Sequence, residues 1–157
     1  MERIPITKEG YIKLKEELRR LKTIERRSVI EDIKEARSFG DLSENAEYDA
    51  AKEKQGFIEA RISELESKMT RLEVIDVLNH ASDKVTFGAT VEIENMDTGE
   101  IKRYKLVGPD ESDIKKNRIS ILSPIARALI GKKTGDEAIV NSPAGEVEYE
   151  IKSIKYE

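Results

Sequence analysis

Apolar positions between residues 8 and 75 follow a helical rhythm. Leu14, Leu18 and Leu21 are spaced by four and three, and Val29, Ile33 and Ala36 resume that spacing after a break in phase near Glu25. Ile58, Ile62, Leu65, Met69 and Leu72 keep the same repeat, extended weakly toward the preceding turn by Ala51 and Lys54. Seams this narrow describe two helices packed on each other. Between them the run Ser38-Phe39-Gly40-Asp41-Leu42-Ser43 concentrates turn formers and predicts a tight reversal. No proline interrupts residues 8–75. At 1.5 Å per residue, helices of roughly 30 residues would make an antiparallel hairpin about 45 Å long, expected to project from the remainder. Gly56, inside the second helix, implies either close approach of the partner helix or a mild bend.

From Val85 onward the text changes to short β-branched runs punctuated by Gly, Pro, Asp and Asn. Strands are expected near Thr86 to Glu94, Ile101 to Val107, Arg118 to Leu122, Glu137 to Asn141 and Glu146 to Lys155, with hairpin turns at Asp97-Thr98-Gly99 and Pro143-Ala144-Gly145. Ser123-Pro124 provides a cap and a first-turn proline for a short helix to Ile130, which Gly131 stops. The expected architecture is α+β. Residues 1–78 form an antiparallel coiled-coil hairpin, 79–84 a linker, and 85–157 a compact antiparallel β-sheet covered by one short helix.

Composition narrows the chemistry. Among 157 residues there is no Cys, no Trp and a single His, His80, which excludes thiol catalysis, zinc thiolate sites and disulfide stapling and leaves oxygen as the metal ligand. Lys plus Arg number 28 against 32 Asp plus Glu, a balance unlike that of a nucleic-acid binder held by an overall positive field. Locally the balance breaks. Residues 8–27 carry eight basic side chains against four acidic ones, whereas residues 31–53, spanning the reversal, carry three against eight. The hairpin is therefore basic toward its base and acidic toward its tip, although a solvated coiled-coil surface also accommodates such a pattern. The chain opens without the apolar core of a signal peptide and contains no run long enough to span a membrane, so a cytoplasmic protein with no membrane partner is expected.

At the tip, Asp41, Glu44 and Glu47 recur every third residue. Clustered carboxylates suit Mg²⁺, which keeps several waters and completes its shell with groups from elsewhere, so two or three of them on a free tip make no tight site alone. The same spacing matches helix capping: Asp41-x-x-Glu44 fits a capping box, and Ser43 would equally cap a helix containing Glu44. Both readings stand on spacing alone. Lys102, Arg103, Lys105, Lys115, Lys116 and Arg118 are phosphate-capable, yet their alternation on a β surface equally describes solvation. His80 has no partner for catalysis, and neither a phosphate loop nor a catalytic triad is apparent.

Two long motifs carry a resemblance covering essentially the whole chain. Gly40-Asp41-Leu42-Ser43-Glu44-Asn45-Ala46-Glu47-Tyr48, continuing into Ala50-Ala51-Lys52-Glu53-Lys54-Gln55, and Ser123-Pro124-Ile125-Ala126-Arg127-Ala128-Leu129-Ile130-Gly131-Lys132 closely resemble the bacterial Gre family of transcript-cleavage factors, GreA type. The resemblance implies an FKBP-like C-terminal domain that docks on RNA polymerase, and a hairpin that enters the polymerase secondary channel to promote Mg²⁺-dependent hydrolysis near the 3′ end of backtracked RNA. Asp41 and Glu44 would be the principal acidic pair, sharing a Mg²⁺ with the polymerase active centre. Arg37 and Lys52 would lie near the RNA, Ser43, Asn45 and Glu47 would support the tip, and Arg127 would contact the polymerase. Core packing is the expected role of Ile125 and Leu129. It further implies a monomer with no cofactor bound alone and no enzyme activity of its own. Three other readings remain: a channel-binding inhibitor without cleavage stimulation, a general coiled-coil adaptor or chaperone, and an autonomous prolyl isomerase.

Overall fold

The structure, a computed structural model, describes residues 2–40 and 45–157. The chain divides into two compact units, Tyr11–Arg71 and a second one that joins residues 2–10 to Leu72–Glu157.

The first unit is the helical hairpin. Strand β1 (Ile4–Thr7) leads into α1 (Lys8–Arg20), a π-helical turn (Leu21–Glu25) and α2 (Arg26–Arg37); α3 (Ala46–Met69) returns. The π-turn falls where the apolar repeat loses phase. One extra residue separates the Leu14/Leu18/Leu21 seam from the Val29/Ile33/Ala36 seam, and a single wider turn absorbs it so that both face α3. Val29, Ile58 and Ile62 form the buried centre, with Leu18 and Leu21 packed against them. Bidentate ion pairs fix the register on the flanks, Arg26 to Glu59 at 2.8 Å and Arg61 to Glu17 at 2.9 and 3.0 Å. Each lies largely in water, where screening leaves such pairs little net worth, so the seam carries the stability and the pairs set alignment. The Arg26 guanidinium, hydrogen-bonded to Glu59, holds that carboxyl below its ordinary range.

Two expectations for the second helix change. A Cβ on Gly56 would meet nothing within 4 Å, so the glycine serves no close approach. Leu72, which continues the 3-4 rhythm, lies beyond the end of α3 in strand β2 (Leu72–Ile75), parallel to β1 with Ile4 opposite Leu72. This pairing places residues 2–10 and 72–78 with the sheet-containing unit rather than with the hairpin.

The second unit contains a five-stranded sheet of order β5-β4-β3-β7-β6, built from β3 (Ala89–Asn95), β4 (Ile101–Val107), β5 (Arg118–Ser120), β6 (Glu137–Ser142) and β7 (Gly145–Tyr156). Its pairs are antiparallel except β4 with β5, which run parallel because two short 3₁₀ turns, Pro109–Glu111 and Ile114–Lys116, carry the chain back between them. Alternation sends Ala89, Val91 and Ile93 inward and leaves Thr90, Glu92 and Glu94 toward the other face. Helix α4 (Pro124–Leu129) closes the core with Ala126 and Leu129, and Ser123 Oγ caps it by accepting from the Ala126 amide. At the bulge between β3 and β7, Lys152 Nζ lies 2.9 Å from Glu150 and 3.0 Å from Glu94; hydrogen bonds to both push its pKa up to about 12. Glu111 ties β1 to the loop after β4: its carboxylate accepts from the amides of Thr7 (2.8 Å) and Gly108 (3.0 Å) and from the Thr7 hydroxyl.

Candidate functional site

The hairpin reversal is where the sequence concentrates its acids, and its two flanks are well defined. On the α2 side the chain leaves the helix through Ser38, whose hydroxyl donates to the Glu35 carbonyl at 2.5 Å. The Phe39 and Gly40 amides then donate to Ala36 and Arg37, and Gly40 adopts φ +103°, a conformation that favours glycine. Phe39 is largely exposed. On the α3 side Asn45 is the N-cap: its Oδ1 accepts from the Tyr48 amide at 3.0 Å. Its Nδ2 donates across the reversal to the Ala36 carbonyl at 2.6 Å. One side chain thus terminates both helices and links them.

Helix α3 begins at Ala46 and takes its cap from Asn45, while the capping expectations for Asp41, Ser43 and Glu44 fall on residues outside those described. Asn is among the best N-cap residues, and its identity is the sequence signal for the start of α3. Asp41, Ser43 and Glu44, the proposed carboxylate pair and one of its supports, lie outside the described residues.

The remaining tip residues are placed as follows. Arg37 ends α2 and is exposed. Lys52 is exposed on α3, with Nζ 3.1 Å from Gln55 Oε1. Glu47 and Asp49 occupy the first turn of α3, where carboxylates complement the helix dipole. Glu47 lines a groove of about 350 Å³ floored by Ala36, Ala50 and Ala51 and flanked by Asp32, Glu35 and Lys54. Asp32 and Glu35 were not anticipated beside Glu47, because helix register across a reversal is invisible in sequence. Among the described residues no group of three His, Asp or Glu side chains is arranged to hold a metal ion.

In the second unit, Arg127 projects into solvent from α4, while Leu129 is fully buried and Ile125 packs against the sheet core. His80 is exposed in the turn after Val77, its amide donating to the Asp76 and Val77 carbonyls. Of the basic β-surface residues, Arg103 pairs with Glu92 and Arg118 with Glu9 at 3.3 Å each.

Comparison with known proteins adds the decisive observation. A family described as "Transcription elongation factor, N-terminal" matches residues 4–74, and one described as "Transcription elongation factor, GreA/GreB, C-term" matches residues 80–156. The chain belongs to the GreA/GreB family of transcription elongation factors. Transcription elongation factor GreA of Hyphomonas neptunium is 59% identical over 156 residues, covering 99% of both chains. GreA of Nitratidesulfovibrio vulgaris (strain DSM 19637 / Miyazaki F) is 57% identical over 157 residues, covering 100% of this chain and 98% of that protein. GreA of Anaeromyxobacter sp. (strain K) is 54% identical over 156 residues, with 99% and 94% covered. Within the GreA/GreB family the chain is thus of the GreA type. No described helix is long and apolar enough to cross a membrane.

Proposed function

We propose that this protein is a transcription elongation factor that enters the secondary channel of bacterial RNA polymerase and stimulates hydrolytic cleavage at the 3′ end of backtracked nascent RNA, rescuing arrested complexes. The observation that carries the proposal is the GreA/GreB match over both halves of the chain, in order and with relatives of this identity. The hairpin supports it physically: a narrow two-helix element with its acids gathered at the reversal is a shape that delivers carboxylates into a confined site.

In this reading the protein is not itself a nuclease. The donor set at the tip is all oxygen, which suits Mg²⁺ and not a soft metal. The Asp41 and Glu44 carboxylates would help hold a Mg²⁺ shared with the polymerase active centre, which would supply Lewis acidity, and would orient the attacking water. Glu47 steadies the tip, Ser43 and Asn45 preorganise it, and Arg37 and Lys52 face the RNA phosphates. Residues 85–157 dock on the polymerase, with Arg127 among the contacts.

The test adds the purified protein to a stalled, backtracked bacterial polymerase complex with Mg²⁺ and follows loss of short 3′ RNA fragments. Stimulated cleavage in the complex, with free RNA left intact by the protein alone, is the expected result. Failure to shorten the transcript, or cleavage of free RNA without polymerase, would contradict it.

A further inference from the structure

In the loop between β4 and β5, several charged side chains are occupied within the fold. Glu111 accepts from Thr7 and Gly108, Asp113 Oδ1 accepts from the Lys115 amide at 3.1 Å, and Arg118 pairs with Glu9. Ile114, Lys115 and Lys116 are left facing water. Ile114 is 81% exposed, more than any other large apolar residue described; the next, Phe57 at 68%, lies on a helix face.

A lone exposed aliphatic side chain is ordinary on a protein surface. This one sits on a turn whose backbone is held in place. The Asp113 amide donates to the Arg118 carbonyl (2.8 Å) and the Arg118 amide to the Asp113 carbonyl (2.9 Å). The Lys116 amide reaches the Asp113 carbonyl and the Asn117 amide the Ile114 carbonyl, while Asn117 adopts φ 56° and its carbonyl accepts from Lys105 at 2.9 Å. The fold therefore fixes a turn whose apex side chain it does not bury. Preorganisation of this kind lowers the ordering cost of binding.

We propose that the Ile114-Lys115-Lys116 turn is a docking knob that inserts into an apolar socket with an acidic rim on a protein partner. The inference rests on the reading above, which makes that partner RNA polymerase. Charge complementarity selects the rim: two adjacent exposed lysines follow the apolar apex, while Asp113 before it accepts from the Lys115 amide, so acidic side chains around the socket favour encounter and orientation. A nucleic-acid partner would use the lysines and leave the isoleucine in water.

The experiment measures binding of the full-length protein to purified bacterial RNA polymerase over a range of salt concentrations, for wild type, Ile114→Ser, Ile114→Leu and a Lys115→Glu/Lys116→Glu double variant. Thermal unfolding of each serves as a folding check, and no change is expected because Ile114 is almost entirely in water. Ile114→Ser is expected to weaken binding by about tenfold or more through faster dissociation, while Ile114→Leu keeps most of the affinity. The lysine variant is expected to slow association and flatten the salt dependence. Wild-type binding that Ile114→Ser leaves unchanged overturns the knob while sparing the polymerase reading. So does loss confined to the lysine variant, which would assign the turn to phosphate. Absence of wild-type binding to polymerase overturns both.

Discussion

Asn45 joins the two helices of the hairpin at the point where the tip begins, and replacing it with alanine removes both hydrogen bonds at once. Loss of an Asn cap costs about 1 kcal/mol, and loss of the 2.6 Å bond to the Ala36 carbonyl about another 1 kcal/mol, since that carbonyl is only partly shielded and water partly replaces the donor. The combined cost of about 2 kcal/mol is local to the reversal. It should therefore appear first as faster amide hydrogen exchange at Tyr48, by roughly thirtyfold, and only secondarily as a lower melting temperature. Asn45→Asp separates the two halves. An aspartate keeps the acceptor for Tyr48 and interacts well with the helix N-terminus, but it has no donor for Ala36 and sets a carboxylate against a carbonyl. Tyr48 protection should stay within a few-fold of wild type in Asn45→Asp while exchange rises at the end of α2. Unchanged Tyr48 exchange in Asn45→Ala, or equal damage there from both substitutions, would refute the assignment of Asn45 as the link.

Gly56→Ala should stabilise the hairpin by about 1 kcal/mol, because the position is exposed, helical and open around the missing Cβ; a lower melting temperature would show that the glycine has a role the contacts do not reveal. Deleting Thr23, within the π-turn, brings the Leu14/Leu18/Leu21 and Val29/Ile33/Ala36 seams into one continuous 3-4 repeat, so the variant should fold with undiminished helicity by circular dichroism; collapse of the helical signal would mean that the wider turn is required for folding. On the sheet, Glu148 is held above the ordinary carboxylate range by its hydrogen bond to Glu137 and by the charge of that residue. A raised folded-state pKa means stability is lost as pH rises through it, so Glu137→Gln should raise the melting temperature near pH 7 and lose that advantage as pH falls below the ordinary carboxylate range. A benefit that persists or grows in acid would reverse the sign of the account.

Much of the hairpin was legible because its signal is periodic. The seam residues Val29, Ile58 and Ile62 pack as their spacing demands, and the phase break near Glu25 marks the π-turn, since a repeat that slips by one residue must be absorbed by a wider turn or turned away from its partner. The α4 cap at Ser123 and both β-hairpins were similarly local. What sequence hid is long-range or ambiguous at a boundary. Strand β1 has four residues and a proline, and its parallel partner lies at residues 72–75, so no local pattern announces it. Leu72 satisfies the helix rhythm and the first position of a strand equally well. At the tip, a cap-forming residue at Asn45 follows other cap-capable residues closely in sequence, and only the backbone shows that α3 starts at Ala46 with Asn45 as its cap.

The central claim is that the tip carboxylates assist cleavage while the rest of the molecule docks. It is tested most directly by measuring transcript cleavage in a backtracked polymerase complex with the Asp41→Asn/Glu44→Gln double variant, alone and in competition with wild type. The account predicts that the variant fails to stimulate cleavage yet displaces wild type and suppresses its activity, because replacing anionic carboxylates with neutral amides weakens their hold on Mg²⁺ and water without removing the docking surface. Cleavage stimulated as strongly by the double variant as by wild type would contradict it.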